Sequence, residues 1–231
     1  MRNFVTYFWS SVGKKLIIST AGFALMIFIF IHLLGNLTLY GPPSAVNAYG
    51  EKLHSLGWLL YATEVGLLLV FVVHIFTAVI ITISNFRARS GFYKEFKSKG
   101  KPSKKNWSSS TMIYTGAVIG IFLVIHLLDF RFGPGINDGN VAYVGGKPVK
   151  DFYTLVAQRF SHLGGALFYI AVMIFLGFHL RHGFWSAFQT LGLTYPRYSG
   201  IIYSIGVAFA ILIGFGFFLI PLYFYFTGGA L

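Results

Sequence analysis

Five long stretches of this chain carry almost no charge, and they set its architecture. They run from about Leu16 to Tyr40, Leu56 to Phe86, Thr111 to Phe130, Phe152 to Arg181 and Gly200 to Phe226. A helix rising about 1.5 Å per residue needs roughly 20 mostly apolar residues to cross a bilayer, and each stretch is long enough. Several are longer, so tilt or extension past the lipid is expected. The runs are continuous rather than alternating, which argues against a β-barrel. The pattern predicts an all-α fold: a single polytopic membrane domain over residues 1–231, with five spanning helices in a bundle. The first stretch is too long for a cleavable signal peptide and lacks its small-residue cleavage site. Gly35-Asn36-Leu37, followed by Gly41-Pro42-Pro43, reads as the stop of the first helix. Gly116 and Gly120 form a GxxxG pair, a signal of close helix packing. Internal repetition is faint, limited to one histidine at a similar place in each of the first three helices.

Composition narrows the function classes. Hydrophobic residues make up 56% and charged residues 10%, against about 25% charged in soluble domains. That excludes an ordinary soluble enzyme, a disordered protein and a nucleic-acid-binding domain. Cysteine is absent, which excludes a disulfide framework, an iron–sulfur cluster, a Cys-ligated zinc and covalently attached c-type haem. Any metal chemistry falls to histidine.

The net charge of +12 reads as an orientation signal. Of 18 basic residues, 13 lie in the N-terminal arm, the Arg87–Lys105 loop and the loop flanked by Arg181 and Arg197. The five others are Lys52, Arg131, Lys147, Lys150 and Arg159. The positive-inside rule puts the N-terminus in the cytoplasm and the C-terminus outside. The Arg87–Lys105 run is then a contact for anionic lipid, compatible with docking of a soluble partner, rather than a nucleic-acid patch. Trp9, Trp58, Trp107 and Trp185 suit interfacial anchoring.

Histidine depth is the informative feature. His54 lies in an outer loop or at a helix start, whereas His32, His74, His126, His162, His179 and His182 lie within or at the ends of spans. Polar groups inside a bilayer are costly and mark function by default. Counting along helices of alternating direction puts His32 and His126 roughly 22–24 Å from the cytoplasmic start of their helices. His74 and His179 fall in the inner half, with His182 one turn further in and His162 in the outer half of helix four. Two histidines on separate helices at one depth can clamp a flat metal macrocycle from both faces. With both axial positions filled, haem iron transfers electrons and does not bind oxygen. Two such layers read as two b-type haems. A zinc or copper site needs three or four ligands at one depth. A histidine proton relay normally wants several buried acids, and helix two offers Glu64 alone.

Three strings carry a resemblance. Ser11-Val12-Gly13-Lys14-Lys15 leads into a helix ending Ile31-His32-Leu33-Leu34-Gly35-Asn36-Leu37. The next loop contains Asn47-Ala48-Tyr49-Gly50-Glu51-Lys52-Leu53-His54. Helix four ends Phe178-His179-Leu180-Arg181-His182-Gly183-Phe184-Trp185-Ser186-Ala187-Phe188-Gln189-Thr190-Leu191-Gly192. Together they make the chain resemble the cytochrome b membrane anchor of succinate dehydrogenase and fumarate reductase, in the branch with one large anchor and two haems, over almost its whole length.

The resemblance implies His32 and His126 as ligands of a distal haem, and His74 with one helix-four histidine as ligands of a proximal haem. His179 and His182 share a helix face. The family pattern puts the ligand four residues before the glycine of His-x-x-x-Gly, which is His179. Propionates need donors or cations at the membrane faces. Ser19, Lys14, Lys15 and Arg181 are inner candidates and Arg159 an outer one, with His162 expected on a distal propionate and His182 and Arg181 on propionates or quinone.

The implied partners are a flavoprotein subunit and an iron–sulfur subunit on the cytoplasmic face of a bacterial inner membrane, with menaquinone as substrate. The succinate chemistry would belong to the flavoprotein. Glu64 is either a satisfied interfacial acid or a proton carrier near an outer quinone site. Fumarate-reductase members with a transmembrane proton path carry a glutamate two residues before the helix-four ligand, where this chain has Gly177, so succinate oxidation is the expected direction. The alternatives are a fumarate-reductase anchor working in reverse, a dihaem subunit of another quinone-linked dehydrogenase, and a haem-free transporter or assembly protein.

Overall fold

The structure, a computed structural model, describes residues 9–88 and 111–228. The basic residues from Arg89 to Lys105, together with Arg2 and Trp107, lie outside the described residues. Five helices are long and apolar enough to cross a membrane. In chain order, α1 (Ser11–Asn36) runs on through a 3₁₀ turn at Leu37–Tyr40, and α2 (Pro43–His54) leads into the spanning α3 (Trp58–Arg87). The spanning α4 (Met112–His126) widens into a π turn at Leu127–Arg131. A hairpin of β1 (Val141–Val144) and β2 (Lys147–Lys150) precedes α5 (Phe152–Ser161), and α6 (Leu163–Thr190) and α7 (Ser199–Thr227) complete the bundle.

Local chemistry explains the ends. Ser10 accepts a hydrogen bond from the Gly13 amide and caps α1. Pro43 at the first position of α2 costs no hydrogen bond there. The tight hairpin turn falls on Gly145 and Gly146, both at positive φ (58° and 79°), as the strand twist requires.

The fourth span begins later than its hydrophobicity suggested. Residues 152–161 form the separate α5, whose Tyr153, Leu155, Val156 and Phe160 pack into a cap rather than into lipid. The chain turns at His162, which is extended at φ −92° and ψ 127°. Gly165 then approaches the Arg159 carbonyl too closely for any side chain. The span runs from Leu163 to Thr190, so Arg181 and His182 lie well inside the helix rather than at its end.

The α6–α7 pair is the spine. Gly214 places its backbone where a Cβ would lie 3.3 Å from the Gly177 Cα and from the Met173 carbonyl. Here the backbones of two helices meet glycine to glycine. The expected Gly116–Gly120 pair does not make such a contact: Gly116 faces His179, and a Cβ on Gly120 would meet only Ile75, at 3.8 Å. By contrast, α3 and α4 bury a single residue each, Thr77 and Thr115.

All the additional elements gather at one end, around the ends of α1 and α4. Asn47, 2% exposed, ties this cap together. Its Oδ1 accepts from the Phe152 and Tyr153 amides at 2.8 and 3.3 Å, and its Nδ2 donates to Asp151 at 3.0 Å. Asp151 in turn caps α5 by accepting from the Thr154 amide and hydroxyl. Lys150 donates to the Phe130 and Gly133 carbonyls at 2.8 Å each, closing the frayed end of α4.

Candidate functional site

Two histidine pairs lie inside the bundle. At the cap end, His32 of α1 and His126 of α4 have ring centroids 5.8 Å apart with planes at 88°. Deeper, His74 of α3 and His179 of α6 have centroids 6.4 Å apart at 67°. His74 lies 16 residues after Trp58 and His179 16 residues after Leu163, so both sit about 24 Å down their helices from the cap. The corrected start of the fourth span is what equalises these depths; His182 lies three residues further along.

A glycine opposite each ring makes room for the deeper pair. A Cβ on Gly22 would be 3.2 Å from His74 Cε1, and one on Gly116 would be 3.4 Å from His179 Cε1. Gly22 is ten residues before His32 and Gly116 ten residues before His126. The two layers are therefore about 15 Å apart along both α1 and α4.

Their linings differ. The cap-end pair is enclosed by aromatic rings: Phe28 and Phe217 lie 5.5 and 5.6 Å from His32, and Phe122 and Phe130 lie 5.5 and 5.3 Å from His126. Asn36 holds the helix end beside His32, donating to the His32 carbonyl at 2.8 Å. In the deeper pair, Thr115 Oγ1 donates to the Met112 carbonyl at 3.1 Å and lies 3.2 Å from His179 Nδ1. The Nδ1 atoms of His74 and His126 are buried without a hydrogen-bond partner; the Ile18 carbonyl acts on the His74 ring without a well-formed bond to Nδ1.

This arrangement fits a flat metal macrocycle with two axial imidazoles. A metal about 2 Å from each nitrogen puts two imidazole centroids roughly 6 Å apart, as both pairs have. Slots that a Cβ would narrow are consistent with it. A tetrahedral metal site is not: no group of three or more His, Cys, Asp or Glu side chains gathers among the described residues.

The remaining predicted residues sort by place. Ser19 is buried, three residues before Gly22 and on its side of α1. Lys14 is half-buried and Lys15 exposed in the first turn of that helix. Arg181 donates to the Tyr203 hydroxyl at 2.7 Å, while its buried Nε has no partner. His182 is half-buried one turn beyond His179. Arg159 forms an ion pair with Asp129 at 2.9 Å, and Tyr169 donates to the same carboxylate at 2.6 Å. Those two charges and His162 line a cavity of about 250 Å³ at the cap end. Glu64 accepts two hydrogen bonds from Arg131, at 2.7 and 3.0 Å, so it is a paired interfacial carboxylate.

Several residues of the site went unread in the sequence: Thr115, Gly22, Asn36, Tyr169 and Asp129. One signal was available for the glycines, because Gly22 with His32 and Gly116 with His126 repeat one spacing in two helices. Comparison with protein-family models, curated proteins and solved structures returned no match.

Proposed function

We propose that the chain is the cytochrome b membrane anchor of a succinate:quinone oxidoreductase, binding two b-type haems and passing electrons between an iron–sulfur subunit and menaquinone. The observation that carries this reading is the pair of histidine layers, each joining two helices and each with ring centroids at the separation two imidazoles sharing one metal would have. Haem held by these four histidines would supply one-electron transfer. The chain's own part is to present neutral imidazoles at fixed depths, exclude water with the aromatic wall, and orient the rings through neighbouring polar groups.

His32 and His126 would hold the outer haem and His74 and His179 the inner one. His179 is preferred to His182 because its depth equals that of His74 and because Thr115 engages its Nδ1. Ser19, Arg181 and His182 stand toward the deeper end to meet inner propionates or quinone. Arg159 and His162 line the cap-end cavity, where outer propionates or quinone would reach them. The Arg131 pairing favours a structural role for Glu64 over proton transfer.

Gly177 supports the direction of succinate oxidation. The acid that a transmembrane proton path would need two residues before His179 is replaced there by glycine. Charge supports the orientation in a bacterial inner membrane: the five acids among the described residues (Glu51, Glu64, Asp129, Asp138 and Asp151) all belong to the cap end, and the positive-inside reading of the sequence assigns 13 of 18 basics to the opposite side. The cap would face outward, and the basic end would face the cytoplasm and receive the flavoprotein and iron–sulfur subunits. Purification of the tagged chain from its native membrane tests this. The expected result is co-purification of a flavoprotein and an iron–sulfur protein with succinate-reducible b-type absorption. Recovery with a hydrogenase or formate dehydrogenase would assign the chain to another enzyme.

A further inference from the structure

Each histidine pair has a polar side chain beside one ring, but of different kinds: Asn36, on the same helix as His32, holds its Nδ2 3.4–3.5 Å from the His32 ring nitrogens, whereas in the deeper pair Thr115 reaches His179 from a neighbouring helix and at a shorter distance. Thr115 is 4% exposed and is the single residue of α4 buried against protein. Its hydroxyl has one proton, and the Met112 carbonyl is an acceptor 3.1 Å away. With that proton spent on Met112, the oxygen turns lone pairs toward His179 Nδ1 at 3.2 Å. The bond then has His179 Nδ1–H as donor and Thr115 Oγ1 as acceptor. A neutral imidazole has one N–H, so this tautomer leaves the Nε2 lone pair free.

The neighbouring geometry keeps the ring in that orientation. Gly116 follows Thr115 directly and lies against the same ring edge, where a Cβ would sit 3.4 Å from Cε1 and 3.9 Å from Nδ1. Two consecutive residues of α4 thus hold one histidine of α6, the first by a hydrogen bond and the second by clearance. His126, ten residues beyond Gly116 on the same helix, has a buried Nδ1 with no such partner.

We propose that Thr115 is a positioning residue for the inner redox group: it fixes the His179 tautomer and, by accepting the Nδ1 proton, makes the imidazole a stronger donor through Nε2. This rests on the dihaem reading above. A stronger axial donor stabilises oxidised iron more than reduced iron, so the bond lowers the inner midpoint potential and leaves the outer one untouched.

The test is a potentiometric titration of the purified, membrane-derived complex, read from b-type absorption bands. The inner component is identified as the one lost in His74→Ala. In Thr115→Val the inner midpoint is expected to rise, by up to about tenfold in the reduced-to-oxidised ratio at a given potential, or about 59 mV for one electron. The outer midpoint should stay in place, and Thr115→Ser should titrate as the parent does. Loss of the inner haem in Thr115→Val with its retention in Thr115→Ser would support the same role. An unchanged inner midpoint in Thr115→Val, an equal shift of both haems, or a Thr115→Ser variant that behaves like Thr115→Val would overturn the proposal while leaving two haems standing. A parent protein without b-type bands would overturn both readings.

Discussion

The two histidine layers are built from the same element, one imidazole from each of two helices, yet they are walled in opposite ways. The cap-end pair stands in an aromatic enclosure under an ordered lid of α2, the hairpin and α5. The deeper pair is lined by Gly22, Gly116 and Thr115, with Ser19 close by in sequence and Arg181 and His182 just beyond. The contrast teaches that redundancy differs between the layers. Several rings share the enclosure of His32 and His126, so losing one leaves others. Each deeper ring has a single glycine for clearance, and His179 has a single hydroxyl partner.

The largest effects should come from breaking one layer at a time. His74→Ala or His179→Ala is expected to remove the inner haem and keep the outer, and His32→Ala or His126→Ala the reverse, measured as haem per chain. Gly22→Leu should mimic His74→Ala, because its branched side chain would enter space the His74 ring occupies. Retention of both haems in Gly22→Leu would show that the slot is not needed.

Smaller losses sharpen the claim of redundancy. Phe122 packs against both apolar cores as well as His126. Phe122→Ala should therefore cost about 3 kcal/mol of stability while keeping both haems, as read by thermal unfolding and by spectrum. Asn47→Ala strands two amide donors and removes one donor from the Asp151 carboxylate. It should cost roughly 1–3 kcal/mol, seen as faster proteolysis of the cap with the deeper layer intact.

A pH effect is expected in the cap. Burial pushes the Asp151 carboxyl up, but hydrogen bonds from Thr154, Asn47 and the Thr154 and Tyr153 amides outweigh it and hold it below the usual carboxylate range. A carboxyl depressed in the folded state stabilises the fold above its unfolded pKa of about 4, and that contribution fades as pH falls through the lower folded value. Asp151→Asn should flatten the acid dependence of cap proteolysis. The smallest effect is expected for His182→Ala, which should leave both haems bound.

Much of this was legible in the sequence, for reasons that differ by residue. The five spans could be found because bilayer thickness demands long apolar runs, and the histidines stood out because polar groups are costly there. The boundary at His162 was hidden. The α5 segment is apolar enough to read as membrane, and its turn depends on Gly165 meeting the Arg159 carbonyl, a tertiary contact. Thr115 was hidden for a similar reason: a threonine in a spanning helix usually bonds back to its own turn, and its approach to His179 exists only once α4 and α6 are packed. The ion pairs Glu64–Arg131 and Arg159–Asp129 span 67 and 30 residues of chain, and no local pattern announces them.

The central claim is two haems held by two histidine layers. Its most direct test is a reduced-minus-oxidised spectrum with haem quantification on the purified chain in its complex. The account predicts two b-type haems per chain. One haem or none would contradict it.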